Sequence, residues 1–255
     1  MRKDIAIIIP VWNCNMTIYE KISLSQCLSI LEDNIFCLVT PKGVDADCFF
    51  LKNHEIKRKY KAVYFDKRNF SCINAYSKLL VSLKFYLRFI QYKYILIYQL
   101  DCFVFRNEIN KWISLDYSYV GAPWFDGYNT TTCGSNIIGV GNGGFSLRCV
   151  KDHLRVLLSF KTIKNKEIYS GNTFFLFNKF QKNEDIFWSE IAGKNFSWFK
   201  IPDWKTAAKF SVEVQPRYFF ELNNGVLPFG CHAWWRYDLP FWKPHIEKFG
   251  YKITE

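Results

Sequence analysis

Apolar and polar positions change rhythm along the chain. Ile5–Val11 (IAIIIPV) reads as a buried strand, and the stretch after it to Leu31 is helical in pattern. Phe36–Thr40 (FCLVT) is a second strand, ended by Pro41, and Ala62–Phe65 a short third. From Ser71 to Ile90 the apolar residues Ile73, Tyr76, Leu80, Leu83, Leu87 and Ile90 form a helix stripe. Tyr94–Leu100 is a fourth strand, inside the run YILIYQLDCFVF. Strands alternating with helices predict an α/β fold, a mainly parallel sheet with helices on both faces. Ligands of such sheets sit beyond the carboxyl ends of the strands, which is where Asp101 falls.

The second half reads differently. Gly, Asn and Thr cluster from Gly127 to Gly144, which predicts a loop-rich, mobile segment. A strand over Phe145–Arg148 and an apolar helix through His153–Phe160 follow, and Asn183 caps a short helix beginning Glu184–Asp185. The C-terminal stretch FGCHAWWRYDLPFW (residues 229 to 242) is unusually aromatic. With no internal repeat and no linker, residues 1–255 read as one domain, a nucleotide-binding half (1–101) and a catalytic, acceptor-binding half (102–255).

Charge and composition narrow the classes. A net charge of +11 points to an anionic partner: nucleic acid, an acidic membrane face or a phosphorylated small molecule. Nine scattered cysteines without a C-x-x-C pair argue against a disulfide scaffold or a structural zinc site, and for a reducing cytoplasm. The N-terminal apolar stretch is short and meets Pro10, Trp12 and Asn13, so it reads as a strand and not a signal peptide. No apolar run approaches the roughly 20 residues of a membrane span.

Each candidate residue has a plain structural reading as well. A strand-terminal Asp is most often a turn residue, and acids after an Asn cap favour the helix dipole. GNGGFSLR (Gly141–Arg148) is a glycine-rich entry to a strand, or a backbone that must pass close to a ligand. His232 among aromatics is a packed histidine or a neutral ligand for a divalent metal. Lys78 is a solvated helix position or a phosphate contact, and any one tryptophan is core before it is a sugar platform.

Taken in order, IYQLDCFVF, YSYVGAPWF, GNGGFSLR, NEDIFW and FGCHAWW resemble the GT-A class of nucleotide-sugar glycosyltransferases. Nearest is a bacterial family described only as a domain of unknown function; β-1,4-galactosyltransferases are similar at a greater distance. The resemblance implies a GT-A-like fold, with Asp101 matching the last acid of an Asp-x-Asp motif that holds a divalent cation against the donor diphosphate. The first acid of that motif is replaced here by Gln99. His232 would complete the metal site, favouring Mn2+ over Mg2+ because imidazole is a softer ligand than oxygen. Asp185 would be the general base of an inverting transfer, with Glu184 as its catalytic neighbour; two adjacent acids repel, which raises the proton affinity of at least one of them. The donor, such as a UDP-sugar, would meet Pro10, Val11, Trp12, Arg68, Asn74 and Lys78 as well as Gln99 and Asp101. The acceptor would meet Trp124, Gly143, Gly144, Phe145, Trp234 and Trp235.

The same resemblance implies bacterial surface polysaccharide (O-antigen or capsule) synthesis on a glycan or lipid-linked acceptor. The chain would be cytoplasmic and peripheral at the anionic inner membrane face. Two other classes remain: an inactive sugar-binding scaffold of this fold, which Gln99 keeps open, and a basic binder of single-stranded nucleic acid. Lys and Arg are dispersed and no recognition motif is present, so no nucleic-acid partner is expected. A retaining transfer is a further alternative within the enzyme class.

Overall fold

The computed structural model describes residues 3–12, 14–46, 60–127, 135–162 and 183–253. Its strands are β1 (Lys3–Pro10), β2 (Ile35–Pro41), β3 (Tyr60–Phe65), β4 (Tyr92–Tyr98), β5 (Phe103–Val104), β6 (Tyr119–Val120), β7 (Ala122–Phe125), β8 (Ile137–Gly141), β9 (Phe145–Cys149), β10 (Ser211–Val212) and β11 (Gly230–Cys231). The main sheet has the order β3-β2-β1-β4-β9-β6. Its first four strands are parallel, and β9 runs antiparallel to both β4 and β6.

Alternation along β1 shows why the sheet is covered twice. Ile5, Ile7 and Ile9 pack on one face with Leu24, Leu28, Trp112 and Phe210, and Ala6 and Ile8 on the other with Leu79, Leu80, Phe85 and Leu157. A strand buried on both faces has to be apolar throughout, which is the composition of β1 from Ile5 onward and of the end of β4. The helix Ile18–Ile30 between β1 and β2 starts at a capping box, in which Thr17 and Glu20 satisfy each other's backbone N–H groups. No described helix is long and apolar enough to cross a membrane.

Two sequence expectations change. The stripe from Ser71 to Ile90 is two helices, Ile73–Leu80 and Leu83–Leu87. Ser82 ends the first: its hydroxyl turns back to the Leu79 carbonyl (2.6 Å), and its backbone is extended. Beyond the break Phe85, Tyr86 and Phe89 are buried while Leu87 and Ile90 are exposed, and Ile73, at the start of the first helix, is exposed as well. Within Gly127–Gly144, residues 128–134 lie outside the described ones, but Ile137–Gly141 is strand β8, paired antiparallel with β7.

A second, three-stranded sheet of order β10-β11-β5 sits past the end of β4. Its register places Cys231 opposite Phe103 and beside Val212. The next residues in line are therefore Asp101 and Cys102, His232 and Glu213, drawn from three distant parts of the chain.

Candidate active site

The site begins where β4 stops. Because β9 is antiparallel to β4, the start of β9 (Phe145, opposite Tyr98) and the end of β4 share one edge. The Gln99 backbone N–H donates to the Gly144 carbonyl (2.9 Å), and the Gly144 N–H to the Asn142 side chain (3.0 Å). The turn Asn142-Gly143-Gly144 thus lies against Gln99–Asp101.

Glycine is needed there for space. A Cβ on Gly144 would stand 2.1 Å from His232 Nε2, and one on Gly143 2.0 Å from Glu184 Oε1. These glycines make room for two side chains of the protein itself, a reason the sequence pattern did not reveal. Asp185, next to Glu184 at the start of a short helix, accepts the Gly143 N–H (3.3 Å) and the Ile186 N–H (2.9 Å).

On one side of this turn, Asp101 is 8% exposed and has both oxygens engaged. Oδ1 is 3.1 Å from His232 Nε2, and Oδ2 is 3.5 Å from the Arg236 guanidinium. Burial alone would raise its pKa; the charge and hydrogen bond of His232, with Arg236, outweigh that and hold it below the usual carboxylate range. His232 is the converse case. Burial opposes its charge, yet Asp101 and Glu213, whose Oε1 is 2.8 Å from Nδ1, push it up to about 10.

This donor set suits a divalent cation. His232 Nε2 lies 3.1 Å from Asp101 Oδ1 and 3.4 Å from Gln99 Oε1. Octahedral bonds of about 2.1 Å put neighbouring ligands about 3 Å apart. A cation taking the place of the Nε2 proton would find one carboxylate, one amide oxygen and one imidazole; Cys102 also brings its sulfur within 4.8 Å of the Asp101 and His232 donors.

On the other side stands a buried ion pair. Arg148, fully buried on β9, donates to Glu184 Oε1 (2.8 Å), Ser146 Oγ (2.9 Å), Tyr86 Oη (3.3 Å) and the Gly143 carbonyl (3.3 Å). Ser77 donates to the other Glu184 oxygen (3.4 Å). Glu184, a catalytic candidate in the sequence, is thus held as half of a buried ion pair, with both oxygens engaged by the protein. Asp185 is half-buried, and burial first, then the Glu184 charge, raise its pKa to about 7. A carboxyl so poised can take up a proton near neutral pH.

The remaining candidates divide. Trp234 is fully buried, its indole N–H on Ser23 (3.0 Å), and Phe145 is fully buried against Tyr98, Phe210 and Phe229; neither offers a face to an acceptor. Trp124 is nearly buried over Gly141, while Trp235 is partly exposed and packs on Tyr19. At the end of β1, the side chains of Pro10 and Val11 are in the core, and Trp12 is 49% exposed, edge-on to Tyr76. Asn74 is exposed in the first turn of its helix, Lys78 is half-buried in the last, and Arg68 is exposed and paired with Asp66 (3.0 Å).

Glu213, Arg148, Arg236 and Cys102 escaped the sequence reading. A signal for two of them was present: Glu213 sits alone in SVEV, and Arg148 in the wholly buried FSLRC, as Asp101 sits alone in YILIYQLDCFVF.

A family model described as "Protein of unknown function (DUF5672)" matches residues 59–232. No curated protein matches the sequence. Among solved structures, the galactosyltransferase LgtC in complex with donor and acceptor sugar analogs is similar over 98% of both chains, with a TM-score of 0.59 at 12% identity. An active-site mutant of LgtC is similar over 89% of this chain and 86% of that one, with a TM-score of 0.55 at 13% identity. At such identity the likeness is one of fold, and the fold is the GT-A glycosyltransferase architecture.

Proposed function

We propose that this chain, which belongs to the DUF5672 family, is a glycosyltransferase that moves a sugar from a nucleoside-diphosphate donor to a glycan or lipid-linked saccharide acceptor. The observation that carries the reading is the convergence of Gln99, Asp101 and His232 at one side of the Gly143–Gly144 turn, with Asp185 at the other. LgtC, a structural neighbour, was solved with donor and acceptor sugar analogs, and its fold is shared over nearly the whole chain.

The chemistry assigns the residues. A divalent cation, when bound, neutralises the diphosphate as it leaves. Asp101, His232 and Gln99 would hold it; Arg236, 62% exposed and already beside Asp101, can supply a second positive charge to the phosphates. Trp12 can stack on the nucleotide base. The Asp185 carboxylate would accept the proton that the acceptor hydroxyl loses as its oxygen bonds to the anomeric carbon. One carboxylate acting as base on the acceptor side predicts inversion. The +11 charge suits an anionic membrane face, where lipid-linked acceptors of bacterial surface polysaccharides are assembled.

A melting-temperature panel of nucleotide sugars, each with Mn2+, Mg2+ or chelator, tests the reading. Stabilisation by one nucleotide class, larger with Mn2+, is expected; none by any donor would remove it. With the donor identified, Asp185→Asn should keep donor binding and lose transfer by about 100-fold or more. An NMR assignment of the product anomer checks inversion, and retention would displace Asp185 from the base role.

A further inference from the structure

Glu213 reaches the site only through the small sheet. The parallel pairing of β10 with β11 sets it beside His232, whose backbone N–H donates to the Val212 carbonyl (3.1 Å). Its carboxylate is mostly buried, at 16% exposure, and its Oε1 is 2.8 Å from His232 Nδ1. The opposite ring nitrogen faces Asp101 and Gln99, and the Gly144 backbone closes the same side of the ring.

We infer that Glu213 is a positioning residue: it holds His232 with Nε2 turned toward the cation site, and it supplies from behind the imidazole the second negative charge that Gln99 does not. The inference rests on the glycosyltransferase reading for the presence of a divalent cation. A carboxylate on Nδ1 keeps the proton on that nitrogen when a cation displaces the one on Nε2, and it makes the Nε2 lone pair a stronger donor. Turning the ring over would bring a carbon to Glu213 and sacrifice the 2.8 Å contact. The charge count supports the same role. Two acids and a neutral histidine carry −2; Asp101, Gln99 and His232 carry −1, and Glu213 restores −2.

The test is Mn2+ affinity of the full chain, read from the electron paramagnetic resonance signal of free Mn2+, alone and with UDP. Glu213→Ala should weaken binding by about 10- to 100-fold. Glu213→Gln, which keeps a hydrogen-bond acceptor but not the charge, should fall between it and wild type. In the metal-free wild type, 15N NMR of labelled histidine should show the His232 ring with Glu213 on Nδ1, a signature lost in the Ala variant. Wild-type affinity in Glu213→Ala would overturn the inference, and wild-type affinity in Glu213→Gln would overturn its charge role. If the Ala variant does not fold, the near-isosteric Gln variant decides. A wild-type chain that binds no Mn2+ in either condition also overturns it, while cation-independent sugar transfer would leave the glycosyltransferase reading standing. Glu213-dependent Mn2+ binding without transfer to any acceptor would do the reverse.

Discussion

At the residue scale, two neighbouring acids of one helix turn have opposite fates. Glu184 is neutralised by Arg148, and Asp185 is left with the repulsion. Removing one partner of a buried pair leaves an uncompensated charge, so Glu184→Ala should cost about 3–5 kcal/mol of stability in a urea titration. With Asp185 in the proposed role of base, the pH profile follows from its carboxyl, whose pKa is raised to about 7 mainly by burial and then by Glu184. A base works when ionised, so kcat should rise with pH through an acid limb near 7. Glu184→Gln removes the like charge, lowers the Asp185 pKa and moves that limb to lower pH. A limb that stays in place would detach Asp185 from the profile.

The lone-charge pattern was legible at this scale, unevenly. Asp101 drew attention because its strand ends in an acid, and the structure puts it just past the end of β4, beside His232. Arg148 stands within the buried strand β9 and Glu213 directly after the short β10, but their partners lie 36 and 19 residues away, a separation no local pattern encodes. Trp234 shows the opposite failure. An aromatic beside a candidate site looks the same in sequence whether it lines the core or the cleft, and burial decides.

At the element scale, the first four strands and their parallel run followed from apolar segments alternating with helical ones, whereas their order in the sheet, β3-β2-β1-β4-β9-β6, did not. The helix from Ser71 to Ile90 did not, since the i, i+3, i+4 stripe runs straight through Ser82, where a side-chain hydrogen bond ends the helix. The turn before β9 is the element on which both halves of the site depend. Gly144→Ala would press a methyl group to within 2.1 Å of His232 Nε2. Overpacking of this kind costs about 1–3 kcal/mol. The larger effect should be on function: Mn2+-dependent donor binding should be lost in a variant whose melting curve stays cooperative. Retained binding would mean that His232 can move aside and that its position does not control the cation site.

At the scale of the whole molecule, the two sheets are fastened by aromatic packing: Phe145 of the large sheet meets Phe210 and Phe229, which flank β10 and β11. Gly230 lies in that seam, where a Cβ would come within 2.5 Å of the Phe145 ring and 2.9 Å of the Phe103 carbonyl.

From the sequence alone came the α/β class, the parallel run implied by alternation, and the edge to which Asp101 belongs, because these depend on periodicity and on where an apolar run stops. Only the tertiary structure decided which charges meet. The antiparallel return of β9 and the three-stranded register set Gly144 against His232, His232 between Asp101 and Glu213, and Arg148 against Glu184. Such pairings are long-range contacts whose strength depends on distance and burial, and neither quantity is written in the order of the residues.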